Sequence, residues 1–121
     1  MSMITDDDII LVDVKRRLEI EQDTTEFDID VLSDVNSAFF SLYQLGIGPA
    51  TPFYIDETTT WGSFTTKIPK SLILEYLYLK TKIVFDPPTV STVMDAYNNR
   101  LSELEFRMNV EVDNGGGIIS G

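Results

Sequence analysis

Hydrophobic residues recur at helical intervals in four separate stretches of this chain. Ile10, Leu11, Val14 and Leu18 fall near one face of a helix. Thr5 and Asp8 have the spacing of a capping box. The run Asp6, Asp7, Asp8 suits the positive end of a helix dipole, and Lys15, Arg16 and Arg17 suit the other end. The pattern predicts a first helix over about 6–18. A second begins near Thr25 and Asp28, again with capping-box spacing. It carries Val31, Leu32, Val35, Ala38, Phe39, Leu42 and Leu45 on a 3.6-residue period up to Gly46, a fitting C-terminal cap, so it is predicted over 27–45. Pro69 opens a third over 69–85, whose apolar arc is broad and which the pair Pro87-Pro88 ends. The last, over 88–108, repeats Val90, Met94, Tyr97, Leu101, Leu104 and Met108 at alternating spacings of four and three. Such a seam suits a helix packed in a bundle, and also a two-helix dimer.

Between the second and third helices, residues 46–68 show no helical period, although they hold Phe53, Tyr54, Ile55, Trp61, Phe64 and Ile68. Residues 53–55 and 64–68 are candidate strands of a short hairpin around DETTTWGS. A connector of this length either binds something or packs back on its own domain, with Trp61 as an anchor. After Met108 the chain reads NVEVDNGGGIISG, in which consecutive glycines carry a high entropic cost of ordering. The expectation is therefore one all-α domain: four helices over 1–109, a long central loop, a long C-terminal helix, and a flexible tail over 110–121.

Composition narrows the function. At 43% hydrophobic residues the chain is too apolar for an acidic disordered segment. It has no Cys and no His, which removes disulfides, thiolate metal sites, thiol nucleophiles and imidazole bases. No apolar run reaches the roughly 18 residues needed to cross a bilayer, and the start MSMITDDD lacks a signal peptide's basic region, so no membrane role is expected. Asp6-Asp7-Asp8 with Asp13, and Asp28 with Asp30, lack the spacing and glycine turn of a calcium loop, and read instead as charge at helix starts. GIGP and NGGG are not phosphate loops, since neither follows a strand and opens a helix. An enzyme is the least favoured class, with no cofactor expected.

Charge is unevenly spread. The formal net charge is -11, and no Lys or Arg lies between Leu18 and Thr66. Lys15, Arg16 and Arg17 form one basic patch on one side of this acidic stretch; Lys67, Lys70, Lys80 and Lys82 form a looser one on the other. Beyond ordinary surface charge, this distribution suits an oligomer in which an acidic face of one protomer meets a basic face of the next.

The stretch IPKSLILEYLYLKTKIVFDPPTVSTVMDAYNNRLSELEFRMN, residues 68–109, resembles the second half of head–tail connector proteins of tailed bacteriophages and prophages. YLYLKTKIVFDPP (76–88) and LSELEFRMN (101–109) carry most of the likeness, and the earlier helices and the ETTTWGSF loop agree in order and spacing. Phe106 stands where the closing motif has a tryptophan. The resemblance implies a small helical protein without a catalytic site, a metal or a cofactor. It implies assembly as a ring of about a dozen copies beneath the portal protein, which requires two different faces of one subunit to meet. Such a ring extends the DNA channel without reading sequence and docks the stopper or tail-completion protein. Its place is the virion neck, and the host cytoplasm before assembly. Candidate interface residues are Lys15, Arg16, Arg17, Trp61, Phe64, Arg100, Arg107, Ile118 and Ile119. The alternatives are another neck or tail-terminator ring component, a simple helical dimer, or a small acidic regulator that mimics DNA.

Overall fold

The four hydrophobic rows form four α-helices in the computed structural model, which describes residues 4–115. They are α1 (Ile10–Arg17), α2 (Asp28–Gln44), α3 (Lys70–Phe85) and α4 (Ser91–Gly115), with one 3-10 turn at Trp61–Ser63. The protein is all-α, and among the described residues there is no strand. Helix α3 is the common partner: α1, α2 and α4 each pack on it, and α2 and α4 meet α3 far more than one another. This explains its broad apolar arc, since Ile73, Leu74, Tyr76, Leu77 and Leu79 are all buried. From α2, Val31, Val35, Ala38, Phe39 and Leu42 complete the centre.

The helix ends show which local signals prevailed. At the end of α2, Gly46 has φ 79°. Its N–H donates to the Tyr43 carbonyl at 3.0 Å, and the Ile47 N–H to the Leu42 carbonyl at 2.9 Å. This is a Schellman motif, with buried Ile47 making its apolar contact. Helix α1 closes the same way without a glycine. Glu19 sits at φ 63°, with N–H donations from Glu19 to Arg16 O (3.1 Å) and from Ile20 to Lys15 O (2.9 Å).

Both predicted capping boxes are corrected. The Thr5 N–H does donate to Asp8 Oδ2 at 2.9 Å, but the box closes a turn ahead of the helix, and α1 begins only at Ile10. The reason is the Trp61 segment. Ile9 forms an isolated antiparallel bridge with Thr60, and the N–H groups of Trp61 and Gly62 donate to the carbonyls of Asp8 and Asp6, each at 2.9 Å. Residues 6–9 are thereby held extended or turned, not helical. At α2 the helix starts at Asp28 with Phe27 at the N-cap, so Thr25 and Asp28 do not stand where a capping box needs them, and the Asp28 carboxylate pairs with Lys15 at 2.9 Å.

The expected hairpin between 53–55 and 64–68 does not form. The loop packs inward instead. Phe53 and Phe64 lie with Phe39 of α2 as three rings whose centroids are each 5.0 Å apart. The Asn36 side chain substitutes for a neighbouring strand, accepting from the Ile55 N–H at 2.7 Å and donating to its carbonyl at 3.2 Å. Between these anchors, Asp56 Oδ1 accepts from the Thr58 N–H and from the Thr58 and Thr59 hydroxyls, a turn closed on its own side chains. Those bonds hold the Asp56 carboxyl below its ordinary range. Gly48 is required here, because a Cβ at that position would lie 2.6 Å from the Phe64 ring.

Helix α4 also differs at its end, running on to Gly115 where the pattern stopped at Met108. Residues 109–115 contain no proline, and Val112, four residues after Met108, packs against the core and carries the seam one turn further. Within the seam Leu101, Leu104 and Met108 are buried, Tyr97 is partly buried, and Val90 is exposed. The C-terminal half of the seam is thus core, and the first turns extend past it. Ile118 and Ile119 lie outside the described residues.

Candidate interaction surfaces

Several residues expected at an interface are interior. The Trp61 indole is 1% exposed, and its Nε1–H donates to Asp13 Oδ2 at 2.8 Å. Phe64 belongs to the three-ring cluster and is buried. Lys15 is 3% exposed. It donates to the carbonyls of Thr24 (2.8 Å) and Gln22 (3.2 Å) while pairing with Asp28, so it ties the loop after α1 to the start of α2. These side chains fix the protomer's own fold, which corrects their expected role as exposed contacts. The sequence signal pointed in the other direction: three adjacent cations read as a surface patch, and only the long-range partner of Lys15 distinguishes it.

Of the other candidates among the described residues, Arg16, Arg17 and Arg107 are exposed and Arg100 is partly buried. Arg16 pairs with Asp13 at 3.0 Å, and Arg17 stacks over the Tyr78 ring at 4.9 Å. Arg100 is a clamp between α3 and α4: its guanidinium meets both Glu75 oxygens at 2.7 and 2.8 Å and reaches Glu103 at 2.9 Å. Those bonds hold the Glu75 carboxyl below its ordinary range and push the guanidinium higher still. Tyr76 adds a second tie, donating to Glu105 Oε2 at 2.9 Å. Burial first, and the Glu105 carboxylate second, push the Tyr76 hydroxyl upward. Arg107 makes a long contact of 3.8 Å to Glu103 and adds to the field that lowers the Glu75 carboxyl.

Among the large apolar side chains left in solvent, those on α2 and α4 mark two faces that the expectations missed; Val84 of α3 is exposed as well. On α2, Ile29 is 81% exposed and Phe40 is exposed one side of a recess of about 560 Å³, lined also by Ser33, Asn36, Ser37 and Tyr54. On α4, Phe106 is 69% exposed and Val110 follows one turn later. The available signal was what each helix period left over: Ile29, Phe40 and Phe106 are among the apolar residues that fall outside the inward rows. Beside the α2 recess the charge is negative. Burial, then the neighbouring Asp30 carboxylate, raise the Asp34 carboxyl above its ordinary range. Among the described residues no group of acidic side chains could hold a metal ion, and no helix is long and apolar enough to cross a membrane.

An all-α protomer with its specific polar contacts turned inward and two unlike apolar faces turned outward is suited to joining other chains. Comparison with protein families finds a match to the family described as phage connector protein, over residues 10–115. The chain belongs to the phage connector protein family. The match begins at the first residue of α1 and ends at the last of α4, so it takes in every helix and the loop that carries Trp61. No curated protein and no solved structure matches this connector significantly.

Proposed function

We propose that this connector protein is a ring subunit of the phage neck, seated between the portal protein and the stopper or tail-completion protein. The observation that carries the reading is the family match across residues 10–115. The two exposed apolar faces on different helices support it, because a closed ring joins one face of each subunit to a different face of the next. On this reading the protein acts through surfaces and performs no bond chemistry, which agrees with a chain that lacks Cys and His. A net charge of -11 per copy also suits a channel for DNA, since a wall of like charge keeps the duplex sliding. The assembly sits in the virion neck, and free subunits are in the host cytoplasm beforehand.

The test is to mix the purified chain with its cognate portal, at moderate salt to screen self-repulsion, and to image the product by electron microscopy. A ring of density added to the narrow end of the portal is expected. Binding to isolated tail tubes with none to portal would move the protein to a tail-terminator position. Binding to neither would end the neck assignment.

A further inference from the structure

We propose that copies of this chain join by exchanging α4, the helix of each subunit leaving its own α3 and lying on the α3 of the next. The inference rests on the ring reading above and names the segment that passes between subunits. Three features of the protomer carry it.

The first is the way α4 is held. Among the helices it packs chiefly on α3, and Leu101, Leu104 and Met108 are its buried side chains among the described residues. Its polar ties go to α3 as well: Arg100 meets the two Glu75 oxygens at 2.7 and 2.8 Å, and Tyr76 donates to Glu105 at 2.9 Å. Together these contacts make α3 a seat for one particular helix. Every copy of the chain carries both the seat and the helix, so the α4 of another copy fits it with the same hydrogen bonds and the same charge pairing. No complementarity beyond that within the protomer is needed.

The second is the linker. Helix α3 ends at Phe85 and α4 begins at Ser91; of the residues between them Pro88 is partly buried and the rest are exposed. The polar contacts of residues 86–90 stay with the adjoining helix ends. The Asp86 N–H donates to the Lys82 carbonyl at 3.0 Å and its carboxylate pairs with Lys82 at 2.8 Å, while the Val90 carbonyl accepts from Val93 and Met94 at 3.1 Å. Straightening this segment therefore breaks no tertiary hydrogen bond. Pro87 and Pro88 have no N–H to give, and each keeps the residue before it out of the helical region, so the linker favours extended backbone.

The third is what flanks the linker. Val84 follows buried Leu77 by two turns in the same row of α3, yet it is 67% exposed. Val90 opens the α4 seam and is 55% exposed, and Val93 is exposed one turn on. The inward rows of both helices thus run past the protomer's own core where the linker joins them. When helices are exchanged, the contact between α3 and α4 re-forms unchanged, and the new contact is between the linker regions of two copies as they pass one another. The uncovered valines stand at that crossing, where their burial favours the exchanged form. An exchange passed from each copy to the next closes into a ring when the rotation closes.

The experiment uses the Arg100 to Glu75 pair as a label for which α4 lies on which α3. Glu75→Lys and Arg100→Glu each set like charges across that contact, and each alone should weaken self-association about tenfold or more, followed by analytical ultracentrifugation. The double variant Glu75→Lys/Arg100→Glu restores opposite charges and should assemble within a few-fold of the parent. The deciding sample is an equimolar mixture of the two single variants. Within either chain the mismatch stays, but exchange between unlike chains gives every α4 an α3 of opposite charge. The mixture should therefore regain assembly to within a few-fold of the parent. A single variant that loses helix signal on its own still tests the proposal, because its mixture then regains far-ultraviolet ellipticity and assembly together. No gain of the mixture over the single variants overturns the exchange, and so does parent-like assembly of either single variant; a parent that assembles in those cases leaves the ring reading standing. If the parent chain never self-associates, with or without portal, the ring reading and this proposal fall together.

Discussion

Replacing Trp61 with Phe tests whether the long loop is held by one buried polar contact. The indole Nε1–H donates to the Asp13 carboxylate at 2.8 Å, with the ring 1% exposed. Phenylalanine keeps most of the apolar body, removes the donor and leaves a void the size of part of a ring. A hydrogen bond to a charged acceptor contributes about 1.5–3 kcal/mol, and the void adds about 1–2 kcal/mol after relaxation. The expected loss is about 3 kcal/mol, against a total stability of roughly 6–15 kcal/mol for a domain of this size. With a urea m-value of about 1.5 kcal/mol/M, the midpoint should fall by about 2 M, followed by far-ultraviolet circular dichroism. Asp13→Asn keeps an acceptor for the indole and should cost less. Combined with Trp61→Phe it should fall short of the sum of the single effects by about 1 kcal/mol. A midpoint shift for Trp61→Phe below about 0.3 M, the size of an ordinary surface change, would refute the account of the loop as pinned by this bond.

Lys15→Met should destabilise by about 2–3 kcal/mol in the same urea assay, because it leaves Asp28 without its cation and two loop carbonyls without a donor. Glu19→Gly should stabilise by about 0.5–1 kcal/mol, since Glu19 holds a left-handed conformation at φ 63° that glycine adopts without strain. Gly48→Ala should lower the melting temperature well beyond Gly46→Ala: both have positive φ, but only at Gly48 would the new Cβ strike the Phe64 ring. The pH dependence has two signs. Glu75 is depressed in the folded state, so its contribution is present above its unfolded value near 4.5 and is lost as pH falls through the lower folded value; Glu75→Gln should flatten that acid limb. Asp34 is raised, so its charged form opposes folding at neutral pH, and Asp34→Asn should stabilise there with the gain vanishing as the solution is acidified below about 4.

The helices were legible because their signals are local. A 3.6-residue period needs only neighbouring positions, and Gly46 supplies the one residue type that a Schellman turn favours. Where the sequence misled, a distant partner had taken over a local group. Asp28 is drawn to Lys15 and α2 starts there with Phe27 at its N-cap, past the Thr25 box, and Thr5 to Asp8 would start α1 if residues 59–62 did not pair with that backbone. The end of α1 was read only from its basic residues, because Glu19 carries no hint of a positive φ. The hairpin failed for a related reason: the Asn36 amide, on another element, satisfies the Ile55 backbone that a partner strand would have served. Interface residues were least legible. A buried cation and a solvent-facing one look alike in a sequence, and Lys15 beside Arg16 is such a case.

The interior and exterior contacts also divide by type. The polar contacts that fix the fold are buried or clamped between elements: Trp61 to Asp13, Lys15 to Asp28, Tyr76 to Glu105 and Arg100 to Glu75. They demand defined geometry, and each holds a loop or a helix pair in one place. The outward features are an exposed phenylalanine on α4 and a recess with serines on α2, the helix that also carries Asp30 and Asp34. Such features contribute little to the lone protomer, and Phe106 in solvent is a cost to it that core packing does not require. If the chain is the ring subunit proposed above, it must stay dispersed while carrying charge -11 and then join its copies, and this separation serves both needs. Rigid internal ties keep the two faces at a constant angle, and ring closure depends on that angle repeating from copy to copy. On that proposal, loosening the Arg100 clamp between α3 and α4 should impair assembly on the portal, seen by electron microscopy, more than it lowers the urea midpoint, because it lets the outer face of α4 move relative to the rest of the protomer.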